Sequence, residues 1–508
     1  MIKTLRVITT VIVISFFVSG FLVSGIIFDK IISRLSEIQF FPSFISILSK
    51  NPSLLAVISF ILIIIITLLF GRVYCSVLCP FGILQDFIIF IRGRFRKYRN
   101  KYIPSLDFIK YPVLVIIALF LLFSNITLVN ILEPYSIFGR IINGVTFPIV
   151  AGINNISAGI LSDFKIYFLR FIDTNKISLL VVLTGAAYLG ATIVASVLKG
   201  RIFCSTLCPT GIILGLLSKY SFYKIALDNK SCSKCGLCEK ICPTSSIAVK
   251  KEGIVDNSSC VMCFECIGAC KFKAISYSKT VKNNQNIIKD RRHFLEKSLK
   301  YAGGIAIASL VPVKLVASTE IVKKTISPIP PGSLNIENLR KNCTGCWLCV
   351  QKCPKNIIKP VFDKDKRIFQ VELDYNKNFC DYECSLCSQI CPTNAIPPVS
   401  LEDKKTIQIG IVKFIKTNCI VYTQETDCAA CSEHCPTKAV YTVPYKENLL
   451  IPETDIGLCI GCGACQYACP AIPDKAIIVE GATPHGRARK VEKRIVGPKE
   501  DENNDFPF

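Results

Sequence analysis

The chemistry of this chain is indicated most clearly by its cysteines, of which it has 28 among 508 residues. Most follow one another at intervals of two, two and three residues and end on a proline, and thiolates at this spacing are typical ligands of [4Fe–4S] clusters. Six sets fit this chemistry, with 24 cysteines between them. They are Cys232, Cys235, Cys238 and Cys242; Cys260, Cys263, Cys266 and Cys270; Cys343, Cys346, Cys349 and Cys353; Cys380, Cys384, Cys387 and Cys391; Cys419, Cys428, Cys431 and Cys435; and Cys459, Cys462, Cys465 and Cys469.

The first two sets match the pattern of bacterial ferredoxins, in which three thiolates of one motif and the fourth of its neighbour hold each cluster. Cys270 is therefore expected to complete the first set, and Cys242 the second. Lys271 stands where the pattern has a proline. Zinc is the alternative metal, and two adjacent copies that each have a fourth cysteine disfavour it.

The four later sets are less regular. The first gap widens to three residues after Cys380 and to eight after Cys419, and each fourth cysteine is still followed by proline. Six [4Fe–4S] clusters in one chain predict a path for electrons rather than a catalytic centre.

The remaining four cysteines belong to a repeat. The stretch GRVYCSVLCPFG (71–82) and the stretch GRIFCSTLCPTG (200–211) share eight of twelve positions, which indicates an internal duplication. If the two copies pack together, Cys75, Cys79, Cys204 and Cys208 should converge at the cytoplasmic membrane surface. A redox or metal site, a redox-active thiol pair and a structural feature near a quinone remain three alternatives for them.

Other cofactors are disfavoured by what the sequence lacks. It has three histidines (His293, His434 and His485), none in a predicted membrane span, so bis-histidine haem is excluded, as is a C-x2-C-H haem attachment site. No G-x-G-x-x-G motif precedes a helix, so neither a flavin nor a nicotinamide domain is expected. Electrons must then enter from the lipid pool or from another protein.

Four apolar runs predict membrane spans at 7–28, 53–70, about 111–131 and 178–198. The loop IRGRFRKYRNK after the second run has six Lys or Arg and no acid, so it should be cytoplasmic, and the loop 132–177 should face the other compartment. The predicted fold is an α-helical membrane domain of four spans plus a marginal fifth, with α+β ferredoxin domains. A multi-pass protein of a bacterial inner membrane is expected.

The net charge of +23 does not indicate nucleic acid. Six clusters on thiolates at about −2 each would reduce it to roughly +11. Much of the remaining excess flanks the spans, so no nucleic-acid partner is expected.

The segment KDRRHFLEKSLKYAGGIAIASLVP, which begins at Lys289, resembles a twin-arginine export signal: Arg291 and Arg292 precede a short Ala/Gly-rich run at 301–317. A domain that binds clusters must fold in the cytoplasm before it crosses, so the twin-arginine translocase is a predicted partner and the following domain is expected in the periplasm. VAS at 316–318 is a candidate cleavage site. The alternative is an amphipathic helix that joins two cytoplasmic domains.

These motifs together resemble a known system. Residues 1–285 resemble the H-type membrane subunit of periplasmic nitrate reductase systems, and residues 286–480 resemble the exported four-cluster G-type subunit, as if the two were fused. The resemblance implies a quinol dehydrogenase module that passes electrons from the membrane quinone pool to a periplasmic reductase or electron carrier. It also implies pairing of the first cysteine set with the last, and of the second with the third, in the C-terminal domain. Because quinol oxidation releases protons, Glu133 in LEPYS is a candidate proton acceptor.

The same architecture recurs in methylamine dehydrogenase maturation proteins and nitrous-oxide reductase regulators. An electron donor for the maturation of another enzyme's metal centre is therefore the alternative function. An iron–sulfur sensor would need a DNA-binding or signalling domain, and none is visible. The predicted units are a membrane domain at 1–220, a two-cluster ferredoxin domain at 221–285, the signal or fifth span at 286–320, a four-cluster domain at 321–480 and a disordered tail at 481–508.

Overall fold

The computed structural model describes residues 2–49, 51–95, 107–122, 126–174, 178–249, 254–279, 327–362, 368–446 and 448–490. The twin-arginine-like segment at 286–320, with its candidate cleavage site, lies outside the described residues. Two ferredoxin domains and a helical domain are described.

The helical domain is formed by the first 220 residues. Its helices are α1 (Ile2–Leu22), α2 (Ile26–Glu37), α3 (Phe40–Leu48), α4 (Leu54–Phe70), α5 (Tyr74–Val77), α6 (Pro80–Phe95), α7 (Asp107–Leu122), α8 (Thr127–Leu132), α9 (Pro134–Ile141), α10 (Phe147–Asp163), α11 (Leu179–Lys199), α12 (Ile202–Thr206) and α13 (Pro209–Ser218). A π-helical turn at Ile142–Thr146 joins α9 to α10.

Three of the described helical runs are long and apolar enough to cross a membrane: α1, α11 and the continuous run Pro134–Asp163. The pair α2 and α3 passes the same test only as a unit bent by 79°. The helices α4 and α7 coincide with predicted spans but have only 17 and 16 residues. Of the four predicted spans, those at 7–28 and 178–198 thus coincide with candidate membrane helices, and the predicted count of four plus a marginal fifth is not confirmed.

The region 132–177 differs from the predicted loop, because the helical run Pro134–Asp163 occupies much of it. Polar residues such as Arg140 and Asn143 interrupt the apolar pattern of this region, so the sequence did not predict the helix. Both side chains are buried, and Asn143 donates to the Gly139 carbonyl oxygen at 2.7 Å. A buried polar group is tolerated when it has such a partner.

The N-terminal ferredoxin domain is a pair of cysteine loops between short strands. It contains β1 (Tyr223–Leu227), α14 (Leu237–Ile241), β2 (Ile247–Ala248), β3 (Ile254–Val255), α15 (Glu265–Ala269) and β4 (Ile275–Lys279). The strands pair antiparallel, β1 with β4 and β2 with β3.

The C-terminal domain contains α16 (Ile336–Asn342), α17 (Leu348–Lys352), β5 (Ile358–Pro360), β6 (Val371–Leu373), α18 (Leu386–Gln389), α19 (Leu401–Lys404), β7 (Ile407–Phe414), a 3-10 turn (Lys416–Asn418), α20 (Ile420–Thr423), α21 (Ala430–Glu433), β8 (Val440–Lys446), β9 (Leu449–Thr454), α22 (Ala464–Ala468) and β10 (Ile477–Arg487). Two hairpins, β5–β6 and β8–β9, separate successive cysteine sets. The strand β10 pairs with β7 as far as Arg487, so the folded domain continues past the predicted boundary at 480.

The two ferredoxin domains contact opposite ends of α1. At its start, Lys3 pairs with Glu265 of the N-terminal ferredoxin domain at 2.7 Å, and Arg6 donates to the Cys263 carbonyl oxygen at 2.6 Å. Just after its end, the Val23 carbonyl oxygen accepts from Lys352 of the C-terminal domain at 2.5 Å. Since α1 has 21 residues, it separates these contacts by about 30 Å at 1.5 Å per residue.

Close packing around the duplicated motif predicts a strong effect at one glycine of α6. A Cβ added at Gly82 would collide with the Cys75 carbonyl oxygen, whereas a Cβ at Gly93, in the same helix, would meet nothing within 4 Å. Gly82→Ala should therefore lower the free energy of unfolding by about 1–3 kcal/mol. Gly93→Ala should be neutral or slightly stabilising, because alanine favours helix. Thermal unfolding midpoints in detergent test this, and equal midpoints for the two variants would contradict it.

Candidate iron–sulfur sites

The N-terminal ferredoxin domain groups its cysteines across the two motifs as the ferredoxin pattern predicts. A concave site is lined by three cysteines of the first motif and the last of the second. These are Cys232, Cys235, Cys238 and Cys270. In the other group, Cys260, Cys263 and Cys266 lie within electrostatic reach of Cys242.

The cysteines of the C-terminal domain are grouped differently from the pairing that the family resemblance implies. One cavity is lined by Cys343, Cys346, Cys349 and Cys391. Another is lined by Cys419, Cys428, Cys431 and Cys469. The expected pairing of the first set with the last, and of the second with the third, is therefore wrong. The first set pairs with the second and the third with the fourth, because the hairpins β5–β6 and β8–β9 fold each set back onto the next.

The two remaining groups complete this arrangement. Cys387 lies within electrostatic reach of Cys380, Cys384 and Cys353. Cys465 likewise lies within electrostatic reach of Cys459, Cys462 and Cys435, and to a smaller extent of Cys431 in the neighbouring group. Each half of the C-terminal domain thus has the layout of a two-cluster ferredoxin.

The backbone of the regular loops is shaped to receive a negatively charged group. Residues two and four places after the first cysteine have positive φ in all four regular sets. They are Lys234 and Gly236, Met262 and Phe264, Gly345 and Trp347, and Gly461 and Gly463. Such turns direct backbone N–H groups into a concave site that binds anions. The Gly461 N–H, for example, donates to Cys459 Sγ with an N–S distance of 3.3 Å.

The donor set fits iron–sulfur clusters better than zinc. Three cavities are each lined by three cysteines of one motif and the last of its neighbour, which is the ligand pattern of two-cluster ferredoxins. Burial raises the pKa of Cys343 to about 12 and that of Cys462 to about 12. These groups are therefore protonated thiols at neutral pH when no metal is bound, and cluster assembly must release their protons.

The four cysteines of the duplicated motif converge as predicted, in a buried site. Cys75, Cys79, Cys204 and Cys208 are 3–5% exposed, and Cys208 lies within electrostatic reach of the other three. The N-terminal ferredoxin domain covers this site, and its Ser258 carbonyl oxygen accepts from Arg72 at 3.0 Å. The expected position at the cytoplasmic membrane surface stays a prediction.

Two arginines link the copies of the motif in a reciprocal way. Arg72 of the first copy donates to the Cys204 carbonyl oxygen at 2.8 Å, and Arg201 of the second donates to the Cys75 carbonyl oxygen at 3.0 Å. Both side chains are almost wholly buried. The dipeptide Gly-Arg precedes each cysteine pair in the sequence. The spacing of the cysteines does not indicate what these arginines contact, so sequence analysis gave them no role.

Glu133 is placed as a helix cap. Its two carboxylate oxygens accept from the Tyr135 N–H at 3.0 Å and the Ser136 N–H at 2.5 Å, at the first turn of α9. The side chain is 1% exposed. The observed contacts are structural, and the role of proton acceptor stays a prediction.

Arg140 is a contact residue that sequence analysis missed. Its guanidinium donates to the carbonyl oxygens of Gly345 and Thr344 at 3.1 and 3.2 Å and lies 3.9 Å from the centre of the Phe369 ring. It also donates to the Tyr188 hydroxyl at 3.0 Å. Arg140 thus fixes the loop of one C-terminal cluster site against the helical domain.

A single packed core connects the sites. It contains Cys263 of the N-terminal ferredoxin domain, Cys75 and Cys79 of the helical domain, and Cys346 of the C-terminal domain. The three parts therefore share one cluster of buried side chains.

Comparisons with known proteins agree with this chemistry. A family model described as a 4Fe-4S binding domain matches residues 52–98 and 181–228, and a 4Fe-4S dicluster domain matches residues 342–395. The dicluster match spans the first two C-terminal cysteine sets, which the structure pairs.

Three curated relatives are similar to parts of the chain. An uncharacterized protein of Methanocaldococcus jannaschii is 25% identical over 53% of this chain and 86% of its own length. The putative electron transport protein YccM of Escherichia coli is 28% identical over 39% of this chain and 48% of that protein. The ferredoxin-type protein NapH of Escherichia coli is 26% identical over 38% of this chain and 55% of that protein. The predicted resemblance to ferredoxin-type electron transport proteins is confirmed, and the chain is an iron–sulfur electron-transfer protein.

Proposed function

We propose that this chain is a membrane-bound electron conduit that joins iron–sulfur clusters on the two sides of a membrane. The observation that carries the proposal is the contact of one ferredoxin domain with Lys3 and of the other with the Val23 carbonyl oxygen, at opposite ends of α1. That helix is apolar and long enough to cross. Domains fixed at its two ends would face opposite compartments.

The direction of insertion is proposed from charge. The basic segment IRGRFRKYRNK follows the body of α6 and favours the cytoplasmic side. The Lys3 end of α1 would lie on the same side, with the N-terminal ferredoxin domain. The C-terminal domain would then be periplasmic, which is the destination that the twin-arginine-like segment at Arg291 predicts.

Quinol is the proposed electron donor. Oxidation of one quinol yields quinone, two protons and two electrons, and one-electron iron–sulfur clusters can accept these electrons in turn. The helical domain exposes apolar side chains such as Ile58, Ile61 and Leu183, each at least half exposed, as a surface in contact with lipid would. The proposed acceptor is a periplasmic reductase or electron carrier, by analogy with systems that use ferredoxin-type proteins.

Anaerobic reduction by quinol tests this function. Purified full-length protein in detergent should lose its visible iron–sulfur absorbance when a soluble quinol is added, with quinone formed in proportion to the electrons taken up. Dithionite added afterwards gives the total reducible fraction. Clusters that dithionite reduces but quinol leaves oxidised would contradict the proposed donor.

A further inference from the structure

The two cluster sites of the N-terminal ferredoxin domain differ in their access to solvent. All 28 cysteines lie within the described ranges, and Cys235 is the only one of them that is exposed, while its partners Cys232 and Cys270 are partly exposed. The other site faces inward: Cys263 belongs to the core shared with the helical domain, and its carbonyl oxygen accepts from Arg6. The domain thus has an inner site against the helical domain and an outer site at the protein surface.

The outer site has no task in the proposed path from quinol to a periplasmic acceptor. That path leads to the C-terminal domain, whereas the outer site opens to solvent beside Cys235, in the compartment proposed to be the cytoplasm. Electron tunnelling slows exponentially with distance, so a soluble partner exchanges electrons fastest with a cluster whose ligand it can contact. An exposed ligand therefore favours exchange with a docked protein.

Two exposed apolar side chains border the outer site. Leu237 and Phe272 line the same concave site as Cys235, and they are 40% and 56% exposed. Leu237 is the first residue of α14, and Phe272 follows Cys270 by two residues, so both belong to the loops that would hold the outer cluster. Protein interfaces have an apolar centre within a polar rim, and these side chains supply such a centre.

Lysines supply the polar rim. Lys234, Lys271 and Lys273 alternate in sequence with residues that line the site, and all three are exposed. Lys230 is also exposed, and Lys240 is partly exposed. Ammonium groups are thus present on both cysteine loops, next to the apolar centre.

The charge balance includes the clusters themselves. The five lysines of the rim and the two nearby acids, Asp228 and Glu239, sum to +3, and an outer [4Fe–4S] cluster on four thiolates of about −2 leaves roughly +1. The inner cluster has a similar negative charge on the side of the helical domain, where three arginines and one aspartate offset it. These residues are Arg6, Arg72, Arg201 and Asp86. Charges more than about 8 Å away are largely screened at physiological salt, so a docking protein meets mainly the exposed ammonium groups.

We propose that this lysine-rimmed surface around Cys235, Leu237 and Phe272 docks an acidic soluble electron carrier. At each encounter one electron passes between the redox centre of the carrier and the outer cluster, so one is oxidised as the other is reduced, and no proton or bond is transferred. The docking is argued from the surface itself, whereas its assignment to the cytoplasm rests on the proposed function. The chain would then connect a soluble carrier, as well as quinol, to its clusters.

The chemistry of the carrier follows from the surface. Carboxylates around its own redox centre would complement the lysines, and an apolar spot at that centre would pack on Leu237 and Phe272. Electron-transfer partners bury less than about 1,200 Å² in total, so a patch of this limited size is sufficient. Opposite charges in such a rim act mainly on the rate of association and on its dependence on salt.

Binding of an acidic two-cluster bacterial ferredoxin, kept oxidised, tests the docking on full-length protein in detergent. Surface plasmon resonance gives the association rate constant, which should fall as the salt concentration is raised. Lys230→Glu/Lys271→Glu should lower this constant at low salt by about tenfold, because two attractive charges become repulsive. Iron per chain should stay at the wild-type value in this variant, which shows that the clusters are intact.

Lys377→Glu/Lys438→Glu is the matched control. It makes the same change in net charge at two exposed lysines near cluster cysteines of the C-terminal domain, and it should bind the added ferredoxin at the wild-type rate. A control that slows binding as much as Lys230→Glu/Lys271→Glu would overturn the assignment. Wild-type binding that is absent or unaffected by salt would overturn it as well, whatever the variants do.

Quinol-driven reduction of the clusters separates this inference from the proposed function. If the added ferredoxin binds at the lysine rim while quinol leaves the clusters oxidised, the quinol donor is overturned and the docking surface stands. If quinol reduces the clusters but the added ferredoxin does not bind, the docking surface is overturned and the electron conduit stands.

Discussion

Replacing Cys346 and Cys469 together by alanine should remove about eight iron atoms per chain, twice the loss from either replacement alone. The reason is that the two residues line different cavities, Cys346 with Cys391 and Cys469 with Cys419. Each replacement should therefore remove a different cluster. Iron per chain, with electron paramagnetic resonance of the reduced protein, measures the loss.

The double variant Cys346→Ala/Cys391→Ala is the matched control. Both residues line one cavity, so the second replacement should add little to the loss of about four iron atoms caused by the first. If the first set paired with the last, Cys346 and Cys469 would share a cluster. Cys346→Ala/Cys469→Ala would then lose less iron than Cys346→Ala/Cys391→Ala. A smaller loss from Cys346→Ala/Cys469→Ala than from the control would contradict the structure.

Arg140→Ala should separate the C-terminal domain from the helical domain and interrupt electron transfer between them. The change removes two hydrogen bonds to the Thr344 and Gly345 carbonyl oxygens and a stacked cation at Phe369. Loss of one partner from such a buried contact costs about 3 kcal/mol, which is about a hundredfold in the docking equilibrium. Reduction of the C-terminal clusters by quinol should slow accordingly, while the N-terminal clusters reduce at the wild-type rate.

The control for this prediction is Arg34→Ala, which also removes one guanidinium from the helical domain. The Arg34 side chain is 69% exposed and pairs only with nearby Glu37 among the described residues. Amide hydrogen exchange at residues 344–346 gives a second measure, since undocking should expose this loop. Unchanged exchange and unchanged reduction in Arg140→Ala would show that the contact does not hold the domains together.

The cluster loops could be predicted from sequence because their geometry is local. Three thiolates within seven residues, such as Cys232, Cys235 and Cys238, can reach one cluster whatever the rest of the chain does. The grouping of Cys270 with them followed from the same pattern, and the cavity they line agrees. The convergence of Cys75 and Cys204 followed from the duplication.

The features that sequence analysis missed depend on distant contacts. Cys391 pairs with the first C-terminal set because the hairpin β5–β6 returns the chain, and spacing does not encode that return. The helix Pro134–Asp163 was concealed by Arg140, whose carbonyl partners Thr344 and Gly345 lie more than 200 positions away in the sequence. The bent pair α2 and α3 was missed because charged residues of α2, among them Asp29 and Arg34, interrupt the apolar run that identifies a span.

The central claim is that the two ferredoxin domains face opposite compartments, and protease accessibility in spheroplasts tests it most directly. A full-length protein with an epitope after Phe508 should lose that epitope when protease is added outside, and keep it when the twin-arginine translocase is disabled. The N-terminal ferredoxin domain should stay protected in both strains until the membrane is permeabilised. A C-terminal domain protected in both strains would place all the clusters on one side and contradict the account.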